Sequence, residues 1–398
     1  MERDSRKLSP AVVTLGWVSF LSDVASDMIY PLLPDFLTRT LAASPAALGL
    51  IEGIAETTAS FTKLLSGWWS DRVRRRKRLV AAGYALAAAA RPLVGLATSW
   101  LQVLAVRFAD RVGKGVRTAP RDALLSDLVP PERRGRAFGL QRAMDNAGAV
   151  AGPLLGAFLL RFVFDDERPV FLWAALPGLA AVLLVLLCVH EAPRPASSRP
   201  AIAPQTARTG ALSRRFWTTI AIFVVFTLSS SSDAFILLKA RDLGLEAWQL
   251  PLLWAFFNGV KAVTGVPGGA LADRIGRAPA IAAGWIVYAL SYAGLAFLSS
   301  PQALWPLLAF YALFYALTEG AERALVADMV APDARGRAFG VFHAATGLAA
   351  LPASLVFGIL WKAFGPAAAF LSGAAIAVAA TIALIVHQTT MRTSRQAA

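Results

Sequence analysis

Cysteine is almost missing from this chain: among 398 residues there is one, Cys188. A single thiol excludes an intramolecular disulfide and any cysteine-based metal cluster. Set among leucines, it reads as a buried structural thiol. With three His and five Met, soft ligands are too few for a transition-metal site or a metal export path. Charge is scarce as well, at 16% of residues against roughly 25% in soluble globular chains. Signatures of catalysis are lacking: there is no metal triad and no nucleophile elbow. The Gly113-Lys114-Gly115 triplet is no phosphate cradle, because the upstream Gly is missing and no Ser or Thr follows the Lys. An enzyme is not expected, and neither is a cofactor or a metal.

Apolar sequence fills the space left by charge: 57% of residues are hydrophobic and mean hydropathy is +0.56. Stretches near 20 residues, enough for a hydrocarbon layer of about 30 Å, recur within 11–33, 45–67, 79–97, 99–118, 137–160, 170–190, 215–238, 248–268, 279–299, 303–328, 336–361 and 366–388. The expected fold is therefore an all-α membrane protein of about twelve transmembrane helices. The first stretch carries Asp23 and Asp27 and lacks a small-residue cleavage site, so it reads as a retained span rather than a signal peptide.

The net charge of +14 invites a nucleic-acid reading, but its distribution argues against one. Lys and Arg crowd into every second loop: Arg72–Arg78, Arg133–Arg136, Arg208–Arg215, Arg274–Arg277 and Arg335–Arg337. This alternation is the positive-inside pattern, which places both termini and the central loop in the cytoplasm; the expected location is a plasma (bacterial inner) membrane. The expected partners are the lipid bilayer and its anionic headgroups, with no nucleic acid.

Two repeats share one register. RGRAFG at Arg134–Gly139 returns at Arg335–Gly340, 201 residues on (134 to 335), and GWWSDR at Gly67–Arg72 is answered by GALADR at Gly269–Arg274, 202 residues on (67 to 269). Unrelated matches at nearly one offset imply a duplicated unit. The halves read as 1–190 and 214–398, joined by a cytoplasmic linker at 191–213 rich in Pro, Ala and Arg. Duplicated membrane halves imply a secondary transporter with its substrate site between them. The copies have diverged: Asp127 and Asp328 hold the same place, while Arg121-Asp122 becomes Glu322-Arg323.

The loops G-W-W-S-D-R-V-R-R-R-K-R and G-A-L-A-D-R-I-G-R resemble the G-x-x-x-D-R-x-G-R signature of the major facilitator superfamily, with Arg74 replacing the second Gly of the first copy. The resemblance implies the major facilitator fold, two pseudo-twofold six-helix halves, alternating access and a monomer. Gly67 and Gly269 would let helices approach closely. Asp71 and Asp273, beside Arg72 and Arg274, would accept hydrogen bonds from a neighbouring helix terminus or Arg. Together they would form a gating latch.

The fifth span runs Gly139, Gly148, Gly152-Pro153, Gly156, and it resembles the G-x8-G-x3-G-P-x2-G-G signature of antiporter branches, with Ala157 in place of the last Gly. Small residues at i, i+4 and i+8 give a smooth face for helix packing, and Pro153 loosens the backbone. The second copy, GVFHAATGLAALPASLVFG, lacks the Gly-Pro step. The stretch RFADRVGKGVRTAPRDALLSD, Arg107–Asp127, resembles a bacterial and archaeal subgroup of the superfamily carrying R-x-x-D-R-x-G-K-G-x-R-x-A-P-R-D-A-L, for which no secure substrate is known. Arg107, Asp110/Arg111 and Lys114 stack on one helix face, which must look into protein or a water cavity. In the superfamily an Arg of the fourth helix aids proton coupling; Arg107 or Arg111 would fill that place.

The remaining ionisable residues within spans are the candidate cavity groups: Asp23 and Asp27; Glu52 and Glu56; Arg142 and Asp145; Asp233 after a serine run; Lys261; Glu319, Glu322 and Arg323; and His343. Arg142/Asp145 and Glu319/Arg323 stand at pairing distance along a helix and read equally well as structural ion pairs. Two carboxylates on one face in a low dielectric resist ionising together, which suits Glu52 and Glu56 to proton carriage; Asp23 is a similar candidate. The expected function is proton-coupled antiport exporting a small molecule, with protonation among Asp23, Glu52, Glu56 and Asp110 alternating with substrate binding. The alternative is a facilitator or exchanger of a small organic or phosphorylated anion, using Arg107, Arg111, Arg142 and Lys261. A non-transporting membrane receptor or scaffold is a third class.

Overall fold

Where a chain meets lipid, its backbone amides and carbonyls have no water to bond, so each crossing segment must satisfy them internally as a helix. The computed structural model describes residues 9–70, 76–130, 133–189, 191, 212–331 and 334–396, and among these residues there are helices and no strand. The helices used below are α1 (Pro10–Asp27), α2 (Pro45–Ser70), α3 (Arg76–Ala90), α4 (Trp100–Asp127), α5 (Arg134–Phe162), α6 (Glu167–Trp173), α7 (Ala175–Cys188), α8 (Arg214–Ser229), α9 (Ala234–Asp242), α10 (Gln249–Ile275), α11 (Arg277–Phe297), α12 (Leu304–Asp328) and α13 (Arg335–Gln396).

Among the described residues, eight helical stretches are both long and apolar enough to cross a bilayer. A count of twelve is reached only by adding α2, α4 and α10, which are long enough but more polar, and by dividing α13 at Gly365. There the backbone leaves helical geometry with φ 85°, a conformation open to glycine. The seventh span is not continuous: Ser230–Asp233 is non-helical and separates α8 from α9. The first apolar stretch breaks too, with α1 ending at Asp27 before a short 3-10 turn at Tyr30–Leu32.

The chain divides into two units, neither of them continuous in sequence. The first holds Met1–Phe36, Thr58–Pro200 and Glu246–Ala255; the second holds Leu37–Thr57, Ala201–Leu245 and Phe256–Ala398. In the first, α1 packs on α5 and α7, and α3 packs on α4 and α7. The core where they meet includes Leu15, Val18, Val80, Tyr84, Leu125, Ala137 and Val185. In the second, α11 packs on α12 and α13, and α8 on α13. Its core is aromatic: Trp285, Tyr288, Tyr292, Tyr311 and Phe370 are fully buried. Outward faces carry exposed Phe162, Val266, Phe297 and Phe364, the side chains a lipid solvent accepts. Cys188, expected to be buried, is exposed: it is the last residue of α7, where the helix ends and the packing around it stops.

Each unit also holds one member of a matched pair of ion bridges. Arg76 at the start of α3 meets Asp127 at the end of α4 at 2.8 Å, and Arg277 at the start of α11 meets Asp328 at the end of α12. Both residues of the second pair stand 201 positions after those of the first (76 to 277, 127 to 328). The carboxylate of Glu191 accepts the Arg76 and Lys77 amides at 2.9 and 2.8 Å, satisfying two of the orphan donors at the α3 N-terminus.

Candidate functional site

The first unit gathers its charges around Asp110. This carboxylate is 2% exposed and is met by three guanidinium groups: Arg91 of the 3-10 turn after α3 at 2.8 Å, Arg107 at 3.8 Å and Arg111 at 3.9 Å. Arg91 also donates to the Ser22 carbonyl at 2.8 Å, tying the cluster to α1. Of the face expected on the fourth span, Arg107, Asp110 and Arg111 are buried, whereas Lys114, one turn on, is exposed. Lower on α4, Arg117 donates to Ser22 Oγ at 2.8 Å and lies 4.2 Å over the Tyr84 ring. Arg121 donates to Ser19 Oγ at 2.9 Å and pairs with Asp122 at 3.0 Å and Asp145 at 3.7 Å. Gln141 of α5 donates to Ser19 Oγ and, at 3.1 Å, to Asp145. Arg142 is exposed.

Asp23 and Asp27 sit one turn apart at the broken end of α1, both half-buried. Asp27 accepts the Trp254 indole N–H at 3.0 Å, and Tyr30 packs on the same indole with ring centroids 5.0 Å apart. The small-residue stripe of α5 lies directly behind them. A methyl group at Gly148 would stand 2.6 Å from the Phe20 carbonyl and 2.9 Å from Asp23 Cβ; at Gly152, 2.6 Å from the Val24 carbonyl; at Gly156, 3.2 Å from the Met28 carbonyl. Residues 148, 152 and 156 thus track 20, 24 and 28 along α1, and Pro153 is buried beside them. A methyl group at Gly139 would meet nothing within 4 Å.

In the second unit the break at Ser230–Asp233 is held by tyrosines. Asp233 accepts Tyr311 Oη and Tyr315 Oη at 2.9 Å each. Tyr288 donates to the Ser229 carbonyl at 2.9 Å, and Ser231 Oγ meets Tyr292 Oη at 2.9 Å. Ser232 donates to Glu52 at 3.1 Å; Glu52 is 1% exposed, whereas Glu56, one turn on, is exposed. Lys261 rests 3.8 Å over the Tyr315 ring. Four of the chain's six tyrosines belong to this cluster. Sequence reasoning passed over them, although their spacing (288/292 and 311/315) puts each pair on one helix face. Also unforeseen is the approach of α2 to α13: a methyl at Gly53 would stand 2.9 Å from Leu351 Cα, and Thr57 donates to the Gly347 carbonyl at 2.8 Å.

Next to the break lies a cavity of about 240 Å³. Phe226 and Trp285 stack in its wall at 4.2 Å, and Trp285 Nε1 donates to Glu322 at 3.3 Å. Arg323 pairs with Glu319 at 3.3 Å, both exposed, and His343 lies against Phe342 with centroids 5.0 Å apart. Of the latch residues, Asp71 and Arg72 lie outside the described residues. A methyl group at Gly67 would stand 3.6 Å from Ala119 Cβ, and one at Gly269 would meet nothing within 4 Å; Asp273 and Arg274 are exposed at the end of α10. Among the described residues no group of three or more His, Cys, Asp or Glu is arranged to hold a metal ion.

Broken spans, buried charge clusters and duplicated units are features of transport proteins, and comparison with known proteins agrees. The chain is 36% identical over 390 residues to an uncharacterized MFS-type transporter of Methanocaldococcus jannaschii, covering 96% of each chain. It is 26% identical over 363 residues to the class E tetracycline resistance protein of Escherichia coli, covering 87% of this chain and 86% of that one. Among solved structures, a point mutant of the nucleoside transporter NupG superposes with a TM-score of 0.79 at 14% identity, covering 95% and 99% of the two chains. A bacterial homolog of the human lysosomal transporter Spinster does so at 0.72 and 19%, covering 95% and 94%. The sequence profile of the Major Facilitator Superfamily matches residues 15–310 and again 219–397. The chain belongs to that superfamily: it is a multi-pass membrane transporter and not an enzyme.

Proposed function

We propose that this transporter exports a small molecule from the cytoplasm in exchange for protons, by alternating access, with both termini cytoplasmic and the halves 1–190 and 214–398 rocking about the substrate. One observation carries the reading: the α5 glycine stripe is seated on the turns of α1 that bear Asp23 and Asp27. Helices in such close contact through backbone move together, so a change at either aspartate is transmitted to α5. A carboxylate between protein and a water path exchanges its charge for a proton at modest cost when its surroundings change. Asp23 and Asp27 are suited to this by being half-buried. Asp110 is not, since three arginines bind it in place; it serves as the fixed counter-charge of the α4 face. In the cycle, a proton on Asp23 or Asp27 and the exported molecule occupy the protein alternately. Glu52, on the Ser232 hydroxyl, and Asp233, on two tyrosines, are the acids of the second unit that such a cycle can engage. Export also accords with the tetracycline and multidrug resistance proteins among the relatives.

The test is purified protein in liposomes holding a pH dye, with an imposed pH gradient and addition of tetracycline, ethidium and a panel of amines. Substrate-dependent proton movement that Asp23→Asn or Asp27→Asn abolishes, with substrate binding retained, is the expected result. Substrate movement with no proton signal overturns antiport.

A further inference from the structure

The cavity beside the α8–α9 break combines features that select one class of ligand, and we infer that it binds a compact organic cation with an aromatic or alkyl body. The inference rests on the export reading and names its substrate class. Its wall is aromatic: Phe226 and Trp285 stack at 4.2 Å with planes 2° apart, Phe314 tilts against Phe226 at 5.7 Å, and Phe342 stands edge-on to Phe223 at 5.6 Å. Such a wall takes an apolar body by burial and a cation through the ring faces. Four ionisable side chains reach the lining: Glu319, Glu322, Arg323 and His343. Glu319 and Arg323 pair with each other at 3.3 Å, which leaves Glu322 as the surplus charge when His343 is neutral.

Glu322 is also the acid best placed to receive a ligand. Among the described residues the Trp285 indole donates to Oε1, a geometry in which the second oxygen can accept from an ammonium while the indole holds the carboxylate against the aromatic wall. Ser230, the first residue of the helix break, lines the same cavity and adds a backbone carbonyl outside the α-helical ladder. A carboxylate beside an aromatic surface attracts cations and repels anions of the same shape. The size is selective as well: about 240 Å³ lies just below the roughly 300–1,000 Å³ range of drug-sized sites, so one ring with a small ammonium group fits. With the proposed orientation the cavity lies in the cytoplasmic half of the spans, where an exporter loads.

The experiment is calorimetric titration of the full-length protein in detergent with benzyltrimethylammonium, and with benzenesulfonate as an anion of similar body. The wild type is expected to bind the cation and not the sulfonate. Glu322→Gln is expected to weaken cation binding at least tenfold, while Glu319→Gln changes it less than threefold. Trp285→Phe keeps a ring but loses the N–H and should give an intermediate loss; each variant is compared only if it elutes as a single species with wild-type helicity. Cation binding unchanged in Glu322→Gln, sulfonate binding as tight as the cation, or no binding of either probe overturns the proposal. Because the titration needs no gradient, cation binding without coupled proton flux defeats antiport alone. Proton-coupled flux of another substrate with no cation binding defeats this inference alone.

Discussion

A charged side chain in a membrane span is tolerated only when another group meets it, and Asp110 shows how far that goes. Three guanidinium groups surround one carboxylate that is 2% exposed. Removing the carboxylate leaves three buried cations facing one another, and breaking a buried pair costs about 3–5 kcal/mol. Asp110→Asn should therefore abolish the monodisperse peak in fluorescence-detected size exclusion or lower the detergent melting temperature steeply. Asp127, 41% exposed in its bridge to Arg76, should cost under about 1 kcal/mol when changed to Asn; equal losses for the two variants would contradict the assignment. Arg117 is a second buried case, in which the Tyr84 ring face adds up to about 2 kcal/mol to the hydrogen bond on Ser22 and the attraction of Asp23.

Among the elements, α1 and α5 are joined by an absence of side chain. The Val24 carbonyl stands 2.6 Å from where a Gly152 Cβ would be, so Gly152→Val must push backbone from backbone. Overpacking of this kind costs about 1–3 kcal/mol. A lowered melting temperature for Gly152→Val is expected, together with unchanged or slightly raised stability for Gly139→Ala, where nothing lies within 4 Å and alanine is the better helix former by roughly 1 kcal/mol. If both variants melt alike, the stripe is not the contact that joins these helices. The spacing of that stripe was legible in the sequence, since it lies on one helix and follows its period. The helix it meets was not, because partner choice depends on how two helices are rotated and paired. The α8–α9 break illustrates the other side: four serines and an aspartate form a visible polar interruption, but the tyrosines that hold it come from α11 and α12.

For the whole molecule, the orientation drawn from the loop arginines can be tested with the chain's own thiol. Cys188 is exposed at the end of α7, the end that the positive-inside pattern assigns to the cytoplasm. A membrane-impermeant maleimide should label it in inside-out vesicles and spare it in intact cells. Asp166→Cys, on the exposed loop before α6, in a Cys188→Ser background should behave in reverse. The opposite labelling pattern would invert the proposed topology.

By itself the sequence determined the membrane class, the duplication and the family, because runs of about 20 apolar residues and a repeat at an offset of 201 residues are one-dimensional signals. It also marked most ionisable residues inside spans, since each is conspicuous against an apolar background. What only the tertiary structure decided is which of them meet. It joined Arg91 to Asp110 across two helices, Asp145 to Arg121 and Gln141, Asp233 to two tyrosines and Glu322 to Trp285. The reason is physical: a helix that faces lipid on one side and protein on the other is apolar all round. Except where charges mark a face, as Arg107, Asp110 and Arg111 do on α4, its sequence therefore does not record which face turns inward, and side-chain partners are set only when the helices pack.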